Sequence, residues 1–239
     1  MGEIPSYKAE FIEFLRGIKA LKFGEFTLKS GRVSPWFCNV GAADDGVKMK
    51  QLCRAYKERL SAALSSGEVE DFQGLFGPPY KGIGLAIGTS MEFAGEKDVY
   101  WTFNRKEAKS HGDAGALVGK KITRGDKLVL MDDVFTTGET KEEAVDLVNS
   151  LDGKVVAVCI AVDRCEVGGD EKTSAIQVFK EKYNIPVISI VNAYEVKDYL
   201  SGKTVDFETK DGVLKKDVPF DEGLNILMAA YLEKYGVKP

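Results

Sequence analysis

Residues 128–140 read LVLMDDVFTTGET, and the order of residue types in them predicts a strand, a turn and a helix. An apolar run comes first, two adjacent carboxylates follow at Asp132 and Asp133, and threonines flank a glycine at Gly138. The pattern of residues 141–151 is helical. A buried strand that passes through a short polar turn into a helix is the repeating step of α/β proteins with a parallel sheet.

The same step recurs along the chain after residue 70. Short apolar runs, each followed by a polar or glycine-rich stretch, are the predicted strands: 72–76, 99–103, 127–131, 155–162 and 187–191. Such runs, separated by helical patterns, favour a central, mostly parallel sheet flanked by helices. In a sheet of this kind, ligands bind at the carboxyl ends of the strands.

The two ends of the chain carry different patterns. Residues 26–39 alternate apolar and polar side chains, which predicts a hairpin with Lys29 near its tip. A polar hairpin is predicted at 203–217, before a last helix. Without repeats or a linker, we expect a single domain over residues 1–239. Its N-terminal helix and hairpin occupy about residues 5–40, and a C-terminal hairpin and helix are appended at about 203–236.

Composition narrows the classes of function. The chain has 239 residues, with 33 Lys and Arg against 37 Asp and Glu, and its net charge of −4 argues against a general nucleic-acid binder. The longest apolar run, 155–162, is far shorter than the roughly 20 residues of a membrane-spanning helix. The beginning of the chain lacks a basic segment followed by an apolar one, so we expect a cytoplasmic protein without a membrane partner. A single histidine and four cysteines without a Cys-x-x-Cys pair argue against a structural zinc site.

The turn at 136–140 has the chemistry of a phosphate site. Backbone N–H groups at the start of a helix favour an anion, and the hydroxyls of Thr136, Thr137 and Thr140 would add donors. Two carboxylates before such a turn suit a phosphate that carries a ribose, because the ribose hydroxyls need acceptors. The segment therefore predicts a ribose 5-phosphate site. The ordinary alternative is a strand end at which Asp133 caps the helix.

A second charged segment follows the predicted strand at 99–103. Lys106, Lys109 and His111 lie close together in sequence, and Gly112 and Gly115 permit hinge motion. A mobile cationic lid suits diphosphate as a leaving group, since its negative charge grows as the bond breaks. The alternative is a solvated charged loop.

These motifs together resemble a known family. Segments 26–32 (FTLKSGR), 77–82 (GPPYKG), 103–112 (FNRKEAKSHG), 132–140 (DDVFTTGET) and 163–164 (DR) occur in the order that is typical of orotate phosphoribosyltransferases, which belong to the type I phosphoribosyltransferases. The similarity extends from about residue 7 to about residue 190. It implies the type I fold, with a small hood region to which residues 5–40 contribute and a flexible catalytic loop.

The resemblance also assigns a role to each matching position. The implied ligands of 5-phosphoribosyl 1-diphosphate (PRPP) are Lys29, Tyr80, Lys81, Arg105, Lys106, Lys109, His111, Asp132, Asp133, Val134, Phe135, Thr136, Thr137, Gly138, Glu139 and Thr140. The implied catalytic residues are Lys81, Lys109, His111, Asp132 and Asp133. The implied orotate ligands are Phe37, Cys38, Thr136 and Arg164. Family members usually carry a second aromatic residue where this chain has Cys38; if that ring packs on the base, orotate affinity should be weaker here.

The resemblance implies transfer of ribose 5-phosphate from PRPP to orotate in pyrimidine (UMP) biosynthesis. It further implies Mg²⁺ held mainly by substrate and water, without a protein metal site. A homodimer is expected, in which the lid of one subunit covers the site of its neighbour. Two alternatives stay open from the residues: the same chemistry on a purine base, and a non-enzymatic regulator that senses PRPP or grips RNA.

Overall fold

The structure, a computed structural model, describes residues 4–28, 30–105, 117–135, 138–168, 172–221 and 223–238. The helices are α1 (Ser6–Gly17), α2 (Gly46–Ser66), α3 (Lys81–Phe93), α4 (Glu139–Ser150), α5 (Ala175–Tyr183), α6 (Ala193–Leu200) and α7 (Leu224–Tyr235). The strands are β1 (Leu21–Thr27), β2 (Val33–Cys38), β3 (Gly74–Phe76), β4 (Tyr100–Asn104), β5 (Leu117–Gly119), β6 (Lys127–Asp132), β7 (Lys154–Asp163), β8 (Val187–Asn192), β9 (Thr204–Glu208) and β10 (Leu214–Pro219).

The chain divides into two compact units. One comprises Met1–Lys48, Val162–Ser174 and Val191–Pro239, and the other comprises Met49–Ala161 and Ala175–Ile190. We call the first the terminal unit, because it contains both ends of the chain, and the second the central unit. No helix in the described part of the chain is long and apolar enough to cross a membrane.

The central unit is built on a six-stranded sheet in the order β5-β4-β3-β6-β7-β8. The pairs β3·β4, β3·β6 and β6·β7 are parallel, and β5 is antiparallel to β4 at one edge. The predicted α/β class with a mostly parallel sheet is therefore confirmed, and all five predicted strands are present within about two residues. The short strand β5 was not predicted, because three residues show no periodicity.

Burial explains why this sheet forms. Leu128–Met131 of β6 and Val155–Val162 of β7 are all less than one-twentieth exposed. Helices α4 and α5 cover them with apolar stripes that pack into one core. Residues 128–131 of β6 are buried, so the strand reaches solvent only at its two ends, and Asp132 lies at the carboxyl end.

The terminal unit contains a four-stranded sheet in the order β10-β9-β1-β2. The two predicted hairpins are confirmed as the antiparallel pairs β1·β2 and β9·β10, although β1 begins at Leu21, earlier than the pattern indicated. The hairpins join through parallel pairing of β1 with β9, and Phe23 meets Phe220 edge to face at 5.5 Å. Lys29 lies outside the described residues, and the single-domain organisation stays a prediction.

Candidate active site

The carboxyl end of β6 carries the two acids, and backbone hydrogen bonds hold both in place. The hydroxyl of Tyr56 donates to the carbonyl oxygen of Asp132 at 2.6 Å. The amide of Ala161 donates to the carbonyl oxygen of Asp133 at 3.0 Å. Each carboxylate also accepts the next backbone amide at 2.9 Å, Asp132 from Asp133 and Asp133 from Val134. The acids are therefore fixed before any substrate arrives.

Each acid has its own lysine. Asp132 pairs with Lys141 of α4, and Asp133 pairs with Lys81 of α3. The two lysines differ in environment, because the side chain of Lys141 is 6% exposed and that of Lys81 is 60% exposed. Lys81 therefore has an exposed ammonium, whereas Lys141 is a buried structural partner.

The pairing of Asp133 with Lys81 contradicts the alternative interpretation, in which Asp133 caps helix α4. Helix α4 has Gly138 as its N-cap residue, without a side-chain cap, and the Asp133 carboxylate is occupied by Lys81 and the Val134 amide. That reading was wrong because Asp133 lies too far before the start of the helix to reach its free amides.

Glycine packing brings Lys81 to the acids. A Cβ atom on Gly82 would lie 2.5 Å from the carbonyl oxygen of Met131 and 2.9 Å from Cδ of Pro78. The first turn of α3 therefore lies directly against the end of β6, at a distance only glycine permits. The residue before Lys81, Tyr80, follows a cis peptide bond and is 72% exposed. The close approach at Gly82 is what brings Lys81 to the end of β6.

The predicted phosphate turn leads into α4. Gly138 has φ +89°, a left-handed conformation that favours glycine, and Glu139 and Thr140 form the exposed first turn of the helix. The ring of Phe135 meets Phe179 edge to face at 5.4 Å and packs on the core, so its backbone is what the turn offers a ligand. Thr136 and Thr137 lie outside the described residues.

The cationic segment lies mostly outside the described residues. Arg105 is exposed just after β4, at the carboxyl edge of the sheet. Lys106, Lys109 and His111 belong to the part of the chain that the structure does not describe.

The predicted orotate residues lie in the terminal unit. Phe37 is 38% exposed on β2, with its ring 5.7 Å from that of Phe26, and Cys38 follows it half-buried. Arg164 follows β7, and its guanidinium lies 4.3 Å above the ring of Trp36. Thr136, the other predicted orotate ligand, falls outside the described residues.

Hydrogen bonds to Glu166 and Ser34 hold one edge of the Arg164 guanidinium. Its Nε and Nη2 atoms contact Glu166 Oε1 at 2.9 and 2.6 Å, and Nη2 also donates to Ser34 Oγ at 3.0 Å. Because these bonds use Nε and Nη2, an incoming carboxylate would be met at the end of the guanidinium that carries Nη1. Glu166 and Ser34 therefore fix the direction in which Arg164 points.

Burial and charge set the ionisation of Asp132. Burial raises the pKa of Asp132, and the Lys141 ammonium beside it opposes that rise. Burial also raises the pKa of Tyr56 well above its usual value, with the nearby Cys159 and the two acids adding to it, so Tyr56 stays a neutral donor.

Comparison with known proteins identifies the family. Residues 48–198 match the phosphoribosyl transferase domain family. The orotate phosphoribosyltransferase of Pseudomonas paraeruginosa is 40% identical over 234 residues, which cover 97% of this chain and 99% of that protein. The chain belongs to the orotate phosphoribosyltransferase family. The Kluyveromyces lactis orotate phosphoribosyltransferase is 43% identical over 208 residues, covering 84% of this chain and 89% of that one.

A solved structure of the orotate phosphoribosyltransferase family supports the fold. The crystal structure of orotate phosphoribosyltransferase from Francisella tularensis superposes with a TM-score of 0.78 at 32% identity, covering 95% of this chain and 100% of that one. The predicted type I phosphoribosyltransferase fold is thereby confirmed.

Two residues of this orotate phosphoribosyltransferase family member were missed by reasoning from sequence. Glu166 gave no signal, since a carboxylate two residues after an arginine is common. Lys141 did give a signal. It lies three, four and seven residues before Ala144, Val145 and Val148, so it shares the buried face of α4 with them. A charged residue on an apolar stripe is a candidate for a buried ion pair.

Proposed function

We propose that this protein is an orotate phosphoribosyltransferase, which transfers ribose 5-phosphate from PRPP to a ring nitrogen of orotate. Diphosphate is released, and the product is orotidine 5′-monophosphate, a precursor of UMP. One observation carries the proposal: in a member of this family, two fixed acids, Asp132 and Asp133, lie at the carboxyl end of β6, and the short segment that follows leads into the N-terminus of α4. That arrangement places sugar acceptors next to phosphate donors.

The acids act on the sugar. In the proposed reaction, Asp132 and Asp133 accept hydrogen bonds from the ribose hydroxyls and stabilise the positive charge that develops at the anomeric carbon. The donors at the start of α4, from Gly138 onwards, bind the 5-phosphate. Because both acids are fixed by backbone bonds, little reorganisation is needed as charge develops.

Cations act on the leaving group. Lys81 has an exposed ammonium and is paired to Asp133, so it can exchange that partner for a diphosphate oxygen. The proposed lid residues Arg105, Lys106, Lys109 and His111 would add donors on the diphosphate. Donors placed there favour the transition state, in which the diphosphate is more negative than in PRPP.

The base is bound by different chemistry. Arg164 donates to the orotate carboxylate, and its orientation by Glu166 and Ser34 favours a bound anion over a neutral purine. Phe37 offers a partly exposed ring for the pyrimidine face, and Cys38 and Thr136 complete the proposed contacts.

Mg²⁺ fits this donor set as a partner of the substrate. Among the residues described, no group of three or more His, Cys, Asp or Glu side chains could hold a metal ion, and both acids of the site are paired with lysine. We propose that substrate oxygens and water would hold the ion, because Mg²⁺ takes few protein ligands and keeps several waters. When bound, it would neutralise part of the charge on the departing diphosphate.

The transfer reaction is tested by its absorbance. Mixing the protein with orotate, PRPP and Mg²⁺ should change the pyrimidine absorbance as the nucleotide forms, and hypoxanthine, guanine or adenine should give no product. Asp133→Asn should lose most activity, while Asp146→Asn, an exposed position on α4, serves as the matched control. No product from orotate at any reasonable concentration, or turnover of a purine, would defeat the proposal.

We also propose a cytoplasmic homodimer in which the lid of one subunit covers the site of the other. A complementation experiment tests the sharing: inactive Lys109→Ala and inactive Asp133→Asn are mixed and allowed to exchange subunits. Activity should return, because mixed dimers contain one site with an intact lid and intact acids. Mixed dimers that stay inactive would show that the lid serves its own chain.

A further inference from the structure

We propose that Lys141 is a positioning residue for PRPP, which keeps Asp132 ionised and ties the start of α4 to the end of β6. The inference rests on the proposed function and goes beyond it, since it adds a residue that does not touch the substrate. Lys141 is only 4% exposed, which is unusual because lysine is rarely buried unless it is paired.

The contacts of Lys141 lie at the end of β6 and in the residues just after it. Its ammonium pairs with the Asp132 carboxylate, and it donates to the carbonyl oxygen of Val134 at 3.0 Å. It also lies 5.2 Å from the centre of the Phe135 ring. Lys141 belongs to the first turn of α4, so its side chain reaches back to the end of β6. One side chain therefore ties the start of α4 to Asp132 and to the backbone of Val134.

The charge of Lys141 acts on Asp132 in particular. Among the described residues, Asp132 also faces Asp133, which has its own partner in Lys81, and the neutral Tyr56. Burial opposes ionisation of Asp132, and the Asp133 charge adds to that effect. Among the described residues, Lys141 is the cation in direct contact with the Asp132 carboxylate. Without that charge, we expect Asp132 to take up a proton at a higher pH than in the wild type, and then to lose its value as an acceptor and as a negative group facing the sugar.

The two lysines have separable roles. Lys81 is exposed and pairs with Asp133, so substrate can displace it. Lys141 is buried and bonded at two points, so it stays in place. Loss of Lys81 should weaken PRPP binding at every pH, whereas loss of Lys141 should make binding depend on pH.

The test measures PRPP affinity by calorimetry, with Mg²⁺ present, from about pH 6 to about pH 9. The variants are Lys141→Met and Lys141→Gln; the glutamine keeps a hydrogen-bonding group but removes the charge. Each is compared with the wild type at the same pH, because PRPP itself titrates. The Kd ratio of variant to wild type should rise about tenfold for each pH unit below the new pKa of Asp132. Lys180→Met, at an exposed position on α5, is the matched control and should leave the ratio at about one.

A second comparison separates charge from folding. The double variant Asp132→Asn/Lys141→Met should bind PRPP weakly but without the added pH dependence, because nothing is left to titrate. If Lys141→Met does not fold, Lys141→Gln carries the same expectation. A constant Kd ratio across the pH range in the folded variants would overturn the proposal, whatever their melting temperatures. Since binding is measured with PRPP alone, a failure to turn over orotate would count against the proposed function and not against this role of Lys141.

Discussion

Replacing Gly82 with alanine tests the close packing that positions Lys81. The added Cβ would lie 2.5 Å from the carbonyl oxygen of Met131 and 3.0 Å from the carbonyl carbon of Gly77. Both are backbone atoms, so no side-chain rotation can relieve the overlap and the first turn of α3 must move. Met131 directly precedes Asp132, so the movement occurs next to the acids.

Gly84 supplies the matched control on the same helix. A Cβ there meets only Cε of Met49, at an ordinary contact distance of 3.5 Å. Alanine is favoured over glycine inside a helix by up to about 1 kcal/mol, so Gly84→Ala should stabilise the protein. At Gly82 the same gain is opposed by an overpacking cost of about 1–3 kcal/mol. The neighbouring atoms belong to the backbone and cannot rotate away, so the whole of this cost destabilises the protein. The two substitutions, two residues apart, should therefore have opposite signs.

Urea denaturation and melting curves measure both effects. For a chain of this size, 1 kcal/mol corresponds to about 2–4 °C, so Gly84→Ala should raise the melting temperature by that amount and Gly82→Ala should lower it. Gly82→Ala should also raise the KM for PRPP, because Lys81 and Asp133 move apart. A Gly82→Ala protein that is as stable as the wild type and has the same KM would refute the packing argument.

Three further predictions concern charge and exposure. Arg164→Lys should raise the KM for orotate about 10–100-fold, with the KM for PRPP nearly unchanged, because an ammonium cannot keep the contacts with Glu166 and Ser34 and also donate to orotate in the direction of Nη1. Equal changes in both KM values would contradict this. Hydrogen bonds from Lys127 and Lys154 lower the pKa of Glu70 to about 2. Its contribution to stability is therefore complete above the ordinary carboxyl pKa of 4.5 and is lost as the pH falls towards 2, so Glu70→Gln should flatten the acid side of the stability curve between these values. Of the four thiols, Cys38 is the half-buried one, so Ellman's reagent should titrate one thiol in the native protein and four after unfolding. Faster reaction of a second thiol would show that the core opens.

Much of the site follows from local patterns. The strand, acids, turn and helix of 128–151 are visible in the sequence, because strand and helix periodicity and the preference of glycine for turns act over a few neighbouring residues. The hairpins at both ends were visible for the same reason. Lys81 was named from its motif, but its pairing with Asp133 joins residues 52 positions apart, and no pattern in either segment indicates that contact.

The sequence by itself thus determined the order of the helices and strands in this orotate phosphoribosyltransferase family member. It also showed where the two acids and the cationic segment lie along the chain. Tertiary structure alone decided which lysine neutralises which acid, that Lys141 is buried beneath the loop, and that β9 joins β1 to make one sheet from the two ends of the chain. The reason is physical: helix and strand preferences depend on near neighbours, whereas the free energy of a buried charge or a strand pairing depends on groups that only folding brings together.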